Sequence, residues 1–293
     1  MKIELKTNKK LFNNFFMYKE KGENIILGGG DGSARLEILL QFFLYMVKNN
    51  LIDKNSVFVD LVSYQSVPIK IQRVLNNYLT NFNHKDLVVF NPTLNNKVNI
   101  FNQINFNDHF QKNLLNKHKI FLMPCLEKTR LEYKEFIISQ FFNYLKSLPI
   151  NEGKEIPIFV DNLSDFQDKH FQEYSKIMKT VNEKGYFFIN STYGMFNMHN
   201  FENNFQILKD SHKHFFMAHS QINLNNKFVE NIKFKEKLNN IQAGQFYYLK
   251  DFKLQNINTL KFKDYLEAEP RINENMIYTS GEDLYLSNKI QQF

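Results

Sequence analysis

The sequence predicts an α/β fold with a mostly parallel central sheet flanked by helices, on three observations. Short apolar runs of strand length alternate with stretches of helical periodicity, the pattern of β-α-β units. The first such run, in "ENIILGGGDGSARLEILLQFF", enters three consecutive glycines and leaves them as a helix. Further along, apolar residues recur at i, i+3, i+4 and i+7, so that two later segments each carry one apolar helical face.

In chain order, residues 24–27 form the first strand and residues 34–48 the helix that follows its glycine turn. A strand over 56–60, a helix over 67–79 and strands over 87–90 and 120–123 come next. The helix over 130–146 places Ile138, Phe141, Phe142 and Leu145 on one face. Pro149 and Pro157 flank the polar loop "INEGKEI", which ends that helix and delivers the chain to a strand over 156–161. Tyr174, Ile177, Met178 and Val181 line the helix over 169–182, and strands over 186–190 and 214–217 complete the pattern. From about Lys250 the periodicity weakens. With no internal repeat or low-complexity linker, the expected organisation is an N-terminal segment (1–23), one domain (24–249) and a C-terminal segment (250–293).

A chain of 293 residues can bury a large core, supplied here by Ile, Leu, Tyr and 31 Phe, with no Trp. The formal charge of +7 and the pI near 9.1 permit contact with DNA or an anionic membrane, although the lysines are scattered rather than clustered. The single cysteine, Cys125, lies in the apolar run "IFLMPCL" and reads as a buried small hydrophobe. Intrachain disulfides and cysteine-based zinc sites are thereby excluded, and a reducing cytoplasm fits. No window approaches the roughly 18 apolar residues of a membrane span, and the N-terminus has no signal-peptide core. The expected location is cytoplasmic, with peripheral docking at the inner face of the membrane as an option.

The glycine-rich stretch has the layout of a phosphate-binding loop, which needs close backbone N–H groups, a Lys on the phosphates and a Ser/Thr on magnesium. On G-x-x-x-x-G-K-[ST], the natural register runs Gly29, Gly30, Asp31, Gly32, Ser33, Ala34, Arg35, Leu36. Ala34 then replaces the last glycine, Arg35 the lysine and Leu36 the magnesium hydroxyl. Arg35 keeps the positive charge and can fork onto phosphate oxygens, with different geometry from lysine; Leu36 coordinates nothing, and Asp31 adds negative charge. The candidate cofactor-binding residues are therefore Gly29, Gly30, Gly32, Ser33, Ala34 and Arg35, with ATP binding weak or absent and magnesium binding doubtful. In "IPIFVDNLSDF" an apolar strand ends in Asp161, the type of acid that holds magnesium in such enzymes, but the next residue is Asn162, which cannot act as a base. His212, His214 and His219 in "SHKHFFMAHS" lack a carboxylate or thiol partner in sequence and read as packed or solvated rather than as a metal site. "NST" at Asn190 matches a glycosylation acceptor only formally, because it ends a buried strand.

The order of these pieces resembles the nucleotide-binding domain of type IV coupling proteins, the TraD/TraG/DotL-like members of the FtsK/HerA P-loop NTPases. "IILGGGDGSARLEILLQFF" is similar to their phosphate loop and following helix. "DLVVFNPTLNNKVNIFN" resembles their strand and Asn-Pro segment, and "IFLMPCLEKTRLEYKEFIISQFFNYLKS" a strand and helix of the TraD and DotL-like branch. "IPIFVDNLSDF" sits at the magnesium-binding strand and "GYFFINSTYGMFN" at the sensor strand. The resemblance covers about residues 24–249 and implies a RecA-like P-loop NTPase fold.

Carried over residue by residue, the resemblance places the lost lysine at Arg35, the lost magnesium ligand at Leu36 and the catalytic glutamate at Asn162. It places the glutamine sensor at Thr192 and the family's arginine at Ala218; Asp161 alone survives as the residual acid. The expectation is a relative without the family's membrane anchor and, with so short a span from Asn102 to Ile120, without its helical insertion. The expectation is a degenerate coupling-protein homologue, a pseudo-ATPase scaffold or adaptor in type IV secretion or conjugation. Its expected partners are an active ATPase paralogue or substrates, in a homo- or hetero-oligomer. The opposing expectation is an active divergent ATPase that translocates DNA or protein, as a coupling or packaging motor.

Overall fold

The computed structural model describes residues 19–30, 35–52, 56–60, 71, 87–90, 118–122, 131–163, 166–193, 201–218, 246–251 and 253–256. Most of the expected helix over 67–79 lies outside these residues, as do Gly32, Ser33, Ala34, the Asn-Pro segment, Cys125, His219 and the polar tail.

The strands are β1 (Ile25–Gly29), β2 (Val57–Asp60), β3 (Leu87–Phe90), β4 (His118–Leu122), β5 (Ile156–Asp161), β6 (Tyr186–Tyr193), β7 (His214–Ala218), β8 (Phe246–Lys250) and β9 (Lys253–Asn256). The helices are α1 (Arg35–Lys48), α2 (Leu131–Ser147), α3 (Asp168–Glu183) and α4 (Phe201–Ser211). The nine strands form one sheet in the order β3-β4-β2-β5-β6-β1-β7-β8-β9. All pairs from β3 through β7 are parallel, and β8 and β9 add an antiparallel edge. The expected mostly parallel α/β sheet is thus present.

Helices cover both faces, which is why the central strands are near-continuous apolar runs. On one face α1 packs Phe43 edge-on to Phe159, with ring centroids 5.3 Å apart, and Phe42 edge-on to Phe216 at 5.3 Å. Residues 38–47 of α1 are all buried, as expected for a helix that is apolar all round. On the other face α2 and α3 build the larger core. Phe142 stacks on Tyr174, and Tyr174 meets Phe188 of β6 edge-on. The four expected face residues of α2 and the four of α3 are all buried there.

Three elements go beyond the sequence expectation. α4 was not anticipated, although Phe201, Phe205 and Leu208 stand at helical spacing. β8 and β9 extend the sheet through the region where periodicity fades, turning at Asp251, whose φ of 49° is left-handed. β1 also runs two residues further than expected, so Gly28 and Gly29 belong to the strand. They are held in register by Thr192 and Tyr193 of β6.

The residues before β1 fasten the opposite end of the sheet. Lys19 Nζ reaches Glu155 Oε2 at 2.9 Å, the Gly22 N–H donates to Glu155 Oε1 at 2.5 Å, and Asn182 Nδ2 donates to the Gly22 carbonyl at 2.6 Å. Asn24 accepts the Phe188 N–H at 2.8 Å and donates to the Ser211 carbonyl at 3.0 Å, which ties β6 and the end of α4 to the start of β1.

Candidate functional site

In a parallel sheet, ligand sites form beyond the carboxyl ends of the strands. There β1 ends at Gly29 and β5 at Asp161, with β6 between them. Arg35, the first residue of α1, sits above this point with a side chain only 10% exposed.

The Arg35 guanidinium points into the protein. Nη1 donates to the Gly29 carbonyl at 3.3 Å, Nη2 donates to Asn162 Oδ1 at 3.2 Å, and Nε lies 3.7 Å from Asp161 Oδ1. Asp161 is fully buried. Its Oδ1 also accepts the Ser191 hydroxyl in a short hydrogen bond, while Oδ2 has no hydrogen-bond partner among the described residues. Burial pushes the Asp161 carboxyl above the usual carboxylate range, and the nearby Arg35 charge and the Ser191 hydrogen bond oppose that rise.

Asn162 follows β5 with a φ of 66°, a left-handed conformation that asparagine tolerates better than most side chains. Its N–H donates to Ser191 Oγ at 3.1 Å. A continuous polar chain therefore links Asn162, Ser191, Asp161 and Arg35. Tyr193, at the end of β6 and 42% exposed, places its ring centroid 5.8 Å from Arg35 Cζ, within cation–π range.

The structure brings together four residues singled out from sequence, Arg35, Asp161, Asn162 and Gly29, with Asn162 a direct hydrogen-bond partner of Arg35. Gly30 follows β1 in the described chain, whereas Gly32, Ser33 and Ala34 lie outside the described residues. Strand alternation puts Thr192 on the face of Phe188 and Asn190, and Ser191 is the β6 residue that reaches Asp161. Ser191 was missed because its role depends on which β6 residues share the sheet face of Asp161, and the buried run Tyr186–Thr192 offers no alternation to show it.

The histidines are separate. His212 lies just before β7, and its Nδ1 contacts the Leu208 carbonyl at 2.8 Å while Nε2 meets Asn190 Nδ2 at 2.8 Å. This pairing fixes a neutral ring that donates from Nδ1 and accepts at Nε2, and burial lowers its pKa to about 4. His214 instead bridges Glu23 Oε2 at 2.8 Å and the Tyr248 hydroxyl at 2.9 Å. Among the described residues, no group of three His, Cys, Asp or Glu side chains could hold a metal ion, and no helix is long and apolar enough to cross a membrane.

Magnesium demands near-octahedral oxygen ligation at about 2.0–2.1 Å. At Asp161 the Arg35 guanidinium already lies 3.7 Å from Oδ1, a like charge that disfavours a cation at that carboxylate, and half-buried Leu36 offers no oxygen ligand.

No protein-family model matches the sequence, and no curated protein does. Solved structures do resemble the fold. The bacterial conjugative coupling protein TrwBdeltaN70 superposes with a TM-score of 0.56 at 8% identity, covering 85% of this chain and 87% of that one. The genome packaging NTPase B204 from Sulfolobus turreted icosahedral virus 2, in complex with AMP, gives a TM-score of 0.49 at 10% identity, over 83% of this chain and 98% of that one. The cytoplasmic domain of the Thermomonospora curvata type VII secretion ATPase EccC gives 0.41 at 10% identity; 86% of this chain is covered, but only 26% of that one. The chain has the RecA-like P-loop NTPase fold.

Proposed function

We propose that the protein is a catalytically degenerate relative of the type IV coupling proteins, acting as a scaffold or adaptor for an active ATPase or for substrates in a secretion or conjugation apparatus. The observation that carries this reading is the inward-turned guanidinium of Arg35, which lies against Asp161 and Asn162. Phosphoryl transfer depends on positioning and charge stabilisation by metal, lysine and a water-orienting group. Here the lysine position is an arginine bonded to the protein's own oxygens, the acid is engaged internally, and the water-orienting position is an amide. What remains is a folded domain whose sheet and helices are intact, which supports docking rather than turnover.

The test is steady-state ATP hydrolysis by the purified protein with magnesium, alone and after mixing with an active ATPase of the same apparatus. No turnover by the protein alone is expected. Turnover that Asp161→Ala abolishes would make the protein an active, divergent translocating ATPase instead.

A further inference from the structure

Outside the Arg35–Asp161 site, the first turn of α3 is closed by a titratable group. Gln167 caps this helix, and its N–H donates to Nδ1 of His170, at the third helical position, over 3.1 Å. In a capping box that position is ordinarily Glu or Gln, whose side chain accepts the same N–H throughout the neutral range. A histidine accepts it only while Nδ1 carries no proton. The ring proton therefore sits on Nε2, which donates to Glu135 Oε2 of α2 at 3.0 Å. His170 is 4% exposed and lies edge-on to Phe142 and Phe166, with ring centroids 6.4 and 5.9 Å away.

Among the described residues, the charged groups beside the ring are Glu135 from α2 and Lys169 from α3, whose Nζ lies 2.7 Å from the same Glu135 oxygen. Glu173, further along α3, is turned to Lys146 at 2.8 Å, and Phe166 supplies only an apolar face. Burial raises the Glu135 carboxyl, but hydrogen bonds from Lys169 and His170 outweigh it and hold the group below the usual carboxylate range. Glu135 is therefore ionised where histidines titrate. When His170 takes up a proton, Nδ1 becomes a donor and faces the Gln167 N–H, another donor, across 3.1 Å. The Nε2 contact becomes charge-assisted, so the ring stays with Glu135 and the backbone yields. The positive end of the helix dipole adds to the repulsion.

We propose that His170 is a pH-sensitive cap: proton uptake breaks its bond to the Gln167 N–H and opens the first turn of α3 while the rest of the helix stays folded. The turn before the cap, closed by the Phe166 N–H on the Leu163 carbonyl at 2.9 Å, leads back to Asp161 and Asn162. Opening thus loosens the chain that leaves the candidate site, and with it Phe166, which packs edge-on to Phe142, Phe171 and Tyr174.

The test is amide hydrogen exchange of the full chain at steps from about pH 7.5 to about pH 5.5, across the range where histidines titrate. Rates are corrected for the intrinsic pH dependence of exchange. The proteins are the wild type, His170→Gln and Glu135→Gln, each checked for folding by circular dichroism. In the wild type, residues 167–171 should exchange about tenfold faster at the acid end relative to residues 174–182, as expected when a helix cap of ordinary strength is lost. The later turns are the reference because global destabilisation speeds both stretches alike. His170→Gln installs the usual capping residue, cannot titrate, and should show no such difference. Glu135→Gln removes the charge that favours the protonated ring, so the pH at which the first turn opens should fall.

The proposal is overturned if the wild type keeps the same relative exchange at both ends of the range, or if a folded His170→Gln responds as the wild type does. A Glu135→Gln transition that stays in place or moves up would equally overturn it, and decides the matter should His170→Gln not fold.

Discussion

Arg35 is held at a helix N-terminus, where the backbone dipole disfavours a cation, so its placement depends on the buried acid beneath it. Asp161 in turn depends on Arg35, because a fully buried carboxylate without a counter-charge is strongly unfavourable. Removing one partner of a buried pair typically costs about 3–5 kcal/mol, whereas removing both leaves no stranded charge. Arg35→Ala alone should therefore destabilise the fold by about that amount. The same change in an Asp161→Asn background should cost much less, as read by urea unfolding of the four proteins in a double-mutant cycle. Equal losses in the two backgrounds would mean that the two side chains are not energetically coupled. At this scale the sequence was half legible. Arg35 after the glycine-rich stretch and Asn162 beside Asp161 could be singled out in the sequence, but the inward turn of the guanidinium could not. That turn depends on the register of β1, β5 and β6, which places Gly29, Asn162 and Asp161 within reach of one side chain.

Among the elements, the turn from α3 into β6 is the most constrained. Gly185 has a φ of 88°, and a Cβ there would stand 2.2 Å from the Asn151 carbonyl oxygen, which is backbone and cannot rotate away. The same turn is stitched to the loop before β5: the Asn151 N–H donates to the Lys184 carbonyl at 2.8 Å, and the Ile156 N–H to the Gly185 carbonyl at 3.1 Å. Gly185→Ala should thus destabilise by more than the ~0.4–1 kcal/mol that a compatible Gly→Ala change gains, lowering the melting temperature by several degrees; an unchanged melting temperature would show that the Asn151 loop moves aside freely. Elements of strong periodicity, such as α2 and α3, could be placed from sequence to within about two residues because their apolar faces mark them. β4 begins earlier than its apolar run, at polar His118 and Lys119, because pairing with Leu87 and Val88 of β3 sets its start. β8 and β9 extend the sheet by antiparallel pairing, β8 to β7 and the edge strand β9 to β8, and the polar sequence of β9 gives no apolar pattern that would mark it.

For the molecule as a whole, stability is linked to pH through groups the sequence marked only as packed or solvated histidines. His212 is neutral and buried, with a folded pKa of about 4 against 6.5 in an exposed histidine. The unfolded chain therefore takes up this proton first as pH falls, and the stability His212 contributes is complete above about pH 6.5 and lost progressively toward about pH 4. His214 is also lowered, chiefly by burial, and acts in the same direction. Glu23 and Glu135, whose carboxyls are held below their ordinary value despite desolvation, add losses only at lower pH still. Asp161 has the opposite sign: its raised pKa means that protonation relieves part of its burial penalty. Between about pH 7.5 and pH 5, His212 should account for about 2 kcal/mol of lost stability. In His212→Gln, an amide replaces the ring, so the variant should be less stable than wild type near neutrality but lose less on acidification. Urea unfolding of both proteins at the two pH values reads the difference directly. A variant as pH-sensitive as the wild type would place the proton uptake elsewhere, with His214 and its bridge between Glu23 and Tyr248 the next group to replace.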